Sequence, residues 1–326
     1  MSPKVTVVVS IYNKENYINA CLNSLEHQTY NDFEVLLVDD ASEDRSLEIC
    51  KEYVLKDSRF RIISFEKNMG IHYSRALSLK EAKGEYVAVL DADDISFPNR
   101  LCNQVSFLDR KRDYVLVGSY YQVIDNSGAN MYMEYAPTED IELRWLITFG
   151  NCLGHSTVMF RKIEAIQCGG YSPNVLYGED MEFYSRLMTL GKIGVIPETL
   201  SAWRSHGANL TYHYLLENQQ YLIVAVKNSI LRHTGYDVPL EVAAAVFNNS
   251  GSMAVSPEVF VVAVKLTVFT FLKYLGIVTD ELDKKRLIKK AIDQLVNLFN
   301  RNRQAVWWFQ VSDEWAKAVI NVIQYI

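Results

Sequence analysis

The chain lacks the cysteine spacing of a disulfide framework or of a zinc site. Its five cysteines, Cys21, Cys50, Cys102, Cys152 and Cys168, are odd in number and include no CxxC pair, which points to a reducing compartment, the cytosol. Excess positive charge is missing as well. A net charge of −6 argues against a general nucleic-acid binder, whose affinity depends on basic surface. The apolar run Val5–Ile11 is too short for the core of a secretory signal and is needed as a strand, so no signal peptide is expected. A long unbroken apolar run is also absent: the nearest, Pro257–Val278, is interrupted by Lys265 and Lys273 and reads as a buried helix, with a membrane-surface or oligomer contact as the alternative. Finally, no glycine-rich, basic loop follows the first apolar run, where the chain reads SIYNKEN.

What is present is an alternation of two periods. A chain of 326 residues with 49% hydrophobic content can bury a full core, and suggests one main domain plus an extension. Val5–Ile11, Phe33–Val38, Phe60–Phe65 and Tyr86–Leu90 are short, β-branched apolar runs of the kind buried in a parallel sheet. Between them, Asn13–Leu25, Ser46–Leu55 and Ile71–Ala82 have helical spacing. Strands alternating with helices of this length predict right-handed βαβ units and a doubly wound, mostly parallel sheet. The carboxyl ends of the first, second and fourth strands carry Tyr12-Asn13, Asp39-Asp40 and Asp91–Asp94, and so are expected at one crevice.

The most informative stretch is YVAVLDADD, Tyr86–Asp94, where a strand ends in three carboxylates. Alternate residues of an extended chain point the same way, so Asp91 and Asp93 can share a ligand. Carboxylates held this close repel one another, and a hard divalent ion such as Mg²⁺ or Mn²⁺, itself bound to a phosphate, relieves that repulsion. Taken alone, the cluster also suits a solvated loop that caps the next helix.

With its neighbours it is more specific. VTVVVSIYNKENYI, FEVLLVDDASEDRSLEIC, NMGIHYSRALSLKEAKGEYVAVLDADD, HSTVMFR at 155–161, GEDMEFYSRL at 178–187 and WRSHGANLT at 203–211 occur in this order. In that order they resemble the family 2 glycosyltransferases, inverting enzymes of the GT-A fold that use nucleotide-diphosphate sugars.

The resemblance implies roles. Ser10 and Tyr12 hold the nucleobase through a backbone and an aromatic face, and Asp39 accepts a base N–H, a uracil imide being the first candidate. Ordinary packing is the alternative for Tyr12. For Asp39 or Asp40 it is N-capping of the segment ASEDRSLEI, with Asp40 favoured as the cap. Asp91 lies near the ribose, Asp93 is the metal ligand beside the diphosphate, and Asp94 orients the turn before Phe97-Pro98. His206 is the second metal ligand, an imidazole that suits Mn²⁺ better than Mg²⁺, while Arg204 can reach a phosphate.

Gly178-Glu179-Asp180 opens a helix whose Met181, Tyr184, Leu187 and Met188 face the core. Acids at a helix start serve the dipole; the resemblance implies in addition that Asp180 is the base that deprotonates the acceptor hydroxyl and that Glu179 positions a sugar. The family's arginine-asparagine pair is Arg75-Ala76 here, so Arg75 is carried over as a diphosphate or nucleotide contact, with Lys67 beside it. His155 either lines the acceptor cleft or is a hydrogen-bonded structural histidine.

From about Tyr214 the chain turns to helical segments without chemical motifs, Leu215–His233 and Asp280–Asn300 among them. It ends in an aromatic, amphipathic tail with Trp307, Trp308, Phe309 and Trp315, suited to an interfacial contact but poor in basic residues. The expectation is therefore an α/β GT-A-type domain over residues 1–213 and a helical C-terminal extension over 214–326. Its activity would be metal-dependent, inverting transfer of a sugar from a nucleotide diphosphate, a UDP-sugar foremost, to a hydroxyl on a glycan or lipid-linked glycan. The setting would be bacterial surface polysaccharide synthesis in the cytoplasm, at or near the inner face of the membrane. A non-catalytic sugar-nucleotide-binding module and a sugar nucleotidyltransferase are the alternatives, the latter disfavoured by the missing glycine-rich loop.

Overall fold

The computed structural model describes residues 2–172, 175, 177–207, 209, 219–247 and 256–301. The boundary expected at 213/214, the first residues of the helix expected from Leu215, and the aromatic tail from Trp307 onward lie outside the described residues.

The expected alternation is observed over the first half: β1 Val5–Ile11, α1 Ile18–Glu26, β2 Phe33–Asp39, α2 Ser46–Lys56, β3 Phe60–Ser64, α3 Ile71–Glu81 and β4 Tyr86–Val89. These four strands run parallel in the order β3-β2-β1-β4. Every residue of β2 and all but one of β1 are buried, as in a parallel sheet covered on both faces. One difference is at α1, which starts at Ile18 rather than Asn13. Asn13 has φ 51°, a left-handed conformation that cannot continue into a helix, so the chain turns there before the helix begins.

Next come β5 Ile95–Ser96, α4 Arg100–Arg110, β6 Tyr114–Ile124, β7 Asn130–Glu134, α5 Asp140–Phe149, a 3₁₀ turn at His155–Thr157, β8 Met159–Arg161, α6 Lys162–Gln167, α7 Glu179–Leu187 and β9 Lys192–Arg204. They extend the sheet as β4-β8-β6-β9-β5, with β7 alongside β6. β8 is antiparallel to both β4 and β6, whereas β6 and β9 are parallel. The sheet is thus mixed and mostly parallel. Arg100, fully buried, marks the place where β4 and β8 part, donating to Val89 O at 2.7 Å and Val158 O at 3.1 Å.

The register positions the site. Ile11 pairs with Asp39, so β1 and β2 finish level, while β4 ends earlier, its Val89 opposite Val8, and leaves the DADD segment to cover the remaining height. Leu90 N–H still donates to Val8 O at 3.1 Å, and Asp94 N–H closes a turn onto Asp91 O at 3.0 Å. The acids of the DADD segment therefore sit on a short turn directly beyond the sheet.

By compactness the chain divides into Met1–Glu139 with Cys152–Glu217, and Asp140–Asn151 with Asn218–Ile326. The second unit joins α5 to α8 Gln219–Thr234, α9 Leu240–Val246, α10 Pro257–Leu275 and α11 Glu281–Arg301. Its core includes Trp145 and Phe149, whose rings lie 5.1 Å apart, and Tyr274, whose hydroxyl meets Thr148 Oγ1 at 2.9 Å. Leu287, Ala291, Leu295 and Leu298 form the buried stripe of α11. Among the described residues no helix is long and apolar enough to cross a membrane, since α10 keeps Lys265 and Lys273.

Candidate active site

The β2 end separates two neighbouring acids. Asp40 carboxylate oxygens accept the N–H groups of Met69 at 2.6 Å and Gly70 at 2.8 Å, fixing the loop that enters α3. Asp40 therefore does not N-cap the helix that follows it in sequence, the role expected of it: Ser46 N–H at the start of α2 donates instead to Asp44. The reason is direction, because the loop after β3 comes back over the β2 end. Asp39 is buried; its Oδ2 takes Ser64 Oγ–H at 3.1 Å, while Oδ1 has no partner among the described residues. It lines a cavity of about 510 Å³ with Tyr12, Ser64, Phe65, Lys67 and Asn68. Tyr12 is well exposed there, and Ser10 lies at the end of β1 opposite Val38. Ala41, like Asn13, has a positive φ, 59°, so both loops at this rim hold a non-glycine residue in a costly conformation, a pattern concentrated at functional sites.

In the DADD turn each acid has a different environment. Asp91 accepts Arg75 at 2.9 Å, and its own N–H donates to Ser156 Oγ at 3.0 Å. Asp93 Oδ2 receives both Lys14 Nζ, at 2.5 Å, and His206 Nε2, at 3.0 Å. Burial alone would raise the Asp93 carboxyl, but the His206 hydrogen bond and the Lys14 ammonium outweigh it and hold it below the usual range. Asp94 is fully buried and accepts Arg204 N–H at 2.8 Å; burial and the charges of Asp93 and Asp91 push it well up. It therefore ties the turn to the end of β9.

Arg204 serves the same tie. Its guanidinium donates to the carbonyls of Asp93 at 2.9 Å and of Asp125 and Asn126 at 3.2 Å each, in place of the phosphate contact considered for it. His206, buried just beyond β9, stacks on Tyr17 with ring centroids 4.6 Å apart.

The α7 acids reach the same place through Arg75. Its guanidinium pairs with Asp91 on one side and Glu179 on the other, and is itself buried. Gly178, at φ 71°, supplies the left-handed turn from which α7 starts with Glu179 and Asp180. Asp180 accepts Met181 N–H at 2.7 Å and keeps partial access to solvent. Protein crowding around it, and then the charge of Glu179, push its carboxyl up to about 6 despite the opposing pull of Arg75.

Below these acids His155 Nδ1 meets Tyr184 Oη at 2.6 Å, and Tyr171 Oη lies 3.5 Å from its Nε2. Burial, with Arg75 and Arg100 nearby, holds His155 well below its ordinary value, so it is a neutral, hydrogen-bonded structural histidine.

The structure thus brings together Asp91, Asp93, Arg75, Glu179, Asp180 and His206, and separately gathers Tyr12 and Asp39 around one cavity. Sequence reading missed Lys14, Tyr17 and Ser156. Lys14 and Tyr17 stand within the motif that follows β1, and only their contacts mark them out.

The acids beyond β4 and the acid pair opening α7 thus meet on Arg75, at the edge of a sheet whose first four strands are parallel. The profile of Glycosyl transferase family 2 matches residues 6–166. The amylovoran biosynthesis glycosyltransferase AmsE of Erwinia amylovora is 30% identical over 203 residues, 61% of this chain and 76% of that protein. The chain belongs to glycosyl transferase family 2, and is a glycosyltransferase. Its fold is similar to that of S. aureus TarS 1-349 in complex with UDP-GlcNAc, with TM-score 0.60, 18% identity, and coverage of 98% of this chain and 89% of that one. It is also similar to the mannosyltransferase PcManGT from Pyrobaculum calidifontis in complex with GDP-Man and Mn²⁺, with TM-score 0.55, 15% identity, and coverage of 100% and 87%.

Proposed function

We propose that this enzyme transfers a sugar from a nucleotide diphosphate, with a UDP-sugar as the first candidate, to an acceptor hydroxyl with inversion at the sugar carbon. The supporting observation is the bridge Asp91–Arg75–Glu179, which holds the acids beyond β4 and the acids opening α7 in one crevice. A single in-line displacement needs a base on the acceptor side and charge stabilisation on the leaving-group side.

Asp180 is the base. Its carboxyl, raised to about 6, is still ionised at neutral pH yet basic enough to take a hydroxyl proton as the bond to the sugar forms. Glu179 is committed to Arg75 and positions the site. The unpartnered Oδ1 of Asp39 suits a base N–H, with the Tyr12 ring and Lys67 at the same cavity. Asp93 and His206 are the residues that would hold Mn²⁺ or Mg²⁺. The donor set fits: both are buried, adjacent, and of types that bind divalent ions, and Mg²⁺-like sites commonly combine one or two carboxylates with substrate phosphates. Such an ion, when bound, supplies charge neutralisation for the leaving diphosphate.

In this reading residues 1–213 carry the chemistry and 214–326 form an extension. The biological setting, suggested by the amylovoran biosynthesis of the Erwinia relative, is bacterial surface polysaccharide assembly on a glycan or lipid-linked glycan at the cytosolic face of a membrane. A panel of nucleotide sugars, tested for metal-dependent binding and for transfer or slow hydrolysis, checks the proposal. Uridine donors should score first, and failure of every donor to bind in the presence of Mn²⁺ would sink it.

A further inference from the structure

We infer that Lys14 is an internal counter-ion of Asp93, so that divalent-metal binding to the free chain is weak and becomes strong only when a diphosphate arrives to take the ammonium. The inference rests on the reading of Asp93 and His206 as the metal-holding residues.

Lys14 Nζ and His206 Nε2 meet the same oxygen, Asp93 Oδ2, at 2.5 Å and 3.0 Å. An ammonium and a divalent ion cannot both have close use of that oxygen without repelling each other, so Lys14 competes directly with a metal. The lysine is not placed there by chance of a floppy side chain. Its backbone N–H donates to Ser46 Oγ at 2.7 Å, and its carbonyl accepts Tyr17 and Ile18 N–H groups at 2.9 Å each. On either side of it, Asn13 Oδ1 accepts Glu43 N–H and Glu15 N–H donates to Asp44. The turn after β1 is therefore clamped to the turn after β2, and the lysine stem starts from a fixed point.

The ligand count points the same way. Among the described residues no group of three or more His, Cys, Asp or Glu side chains gathers where a metal could be held. The described residues offer too few donors by themselves, and a phosphate would complete the set. A diphosphate would also carry the negative charge that a lysine binds well, and so would offer the ammonium a second partner. Donor and metal then reinforce each other: what the diphosphate gives Lys14 is returned as a freed carboxylate oxygen, and the coupling is reciprocal.

The test is calorimetric titration of Mn²⁺ alone into the full chain, with thermal melts confirming that each variant is folded. Lys14→Met should bind Mn²⁺ about tenfold more tightly than wild type, and Lys14→Gln likewise, because a nearby positive charge has gone. Lys14→Arg, which keeps the charge, should stay near wild type. With UDP present, Mn²⁺ affinity should rise more in wild type than in Lys14→Met. Equal affinity for Mn²⁺ alone in wild type, Lys14→Met and Lys14→Gln, with binding lost in Asp93→Asn, would overturn the role of Lys14 and leave the metal site standing. Undiminished Mn²⁺ binding by Asp93→Asn would remove the metal site itself and this inference with it.

Discussion

His206 Nε2 lies 3.0 Å from Asp93 Oδ2 across 113 positions of sequence. The contact joins the turn beyond β4 to the segment beyond β9, and the Tyr17 ring stacked on the imidazole fixes the ring's plane. Two ligand-type groups are thus held together before any substrate is considered, which makes their separate removal informative.

Asp93→Ala should abolish Mn²⁺-dependent binding of UDP-sugar, and a chelator should do the same to the wild type. His206→Ala should weaken Mn²⁺ affinity by about tenfold or more while the melting profile stays cooperative. Titrated metal binding unchanged in both variants would show that the pair is structural.

Asp180→Asn keeps the side chain's shape and removes its proton acceptance. Donor affinity should persist while transfer falls by about a hundredfold or more, the scale of general-base catalysis. Were Asp180 only a helix-start acid, the change would cost at most about 1 kcal/mol through the dipole and spare turnover.

The pH profile follows from the same carboxyl. The base must be ionised, and burial with the charge of Glu179 raises it to about 6, so kcat/KM should fall about tenfold per unit as pH drops below that value. Glu179→Gln removes the like charge and leaves Arg75 to lower Asp180 further, so the acid limb should move to lower pH. A limb that stays in place in Glu179→Gln would mean that another group sets it.

Arg75 is buried between Asp91 and Glu179, and Arg75→Met strands both acids. Breaking such a buried arrangement costs about 3 kcal/mol, discounted by the partial exposure of Asp91, so denaturant unfolding should show a loss of about 2–3 kcal/mol. A loss below about 0.5 kcal/mol would show that water already screens the bridge.

Asp39→Ala removes the unpartnered acceptor in the cavity shared with Tyr12. The dissociation constant of UDP should rise about tenfold, the worth of one hydrogen bond to a charged acceptor. Unchanged UDP affinity would take Asp39 out of base recognition.

Much of the site was legible in the chain. β-branched runs of strand length recur between helical periods, and a parallel sheet of such units must end its strands at one crevice, so Asp39, Asp91 and Asp93 could be placed there from spacing alone. The ordered blocks supplied Asp180 and His206. The second half of the sheet was only partly legible: the run STVMF after His155 reads as a strand and overlaps β8, but β5 has two residues, too short for a period to show, and the antiparallel pairing of both depends on long-range partners.

What the sequence determined by itself was the local pattern, because side-chain periodicity and β-branching act within a few residues: the first four strands, the helices between them, and the acids at their ends. Which acid does what was decided by tertiary structure. Asp39 and Asp40 are adjacent, yet one lines a cavity and the other grips Met69 and Gly70. Glu179 and Asp180 are adjacent too, yet one is paired with Arg75 and the other is left with a raised carboxyl. Lys14 and Arg204 carry the same charge, but one meets the Asp93 carboxylate and the other its backbone carbonyl. These distinctions come from burial and from partners tens of residues away, and electrostatic environment is a property of the folded arrangement, invisible in the order of residues.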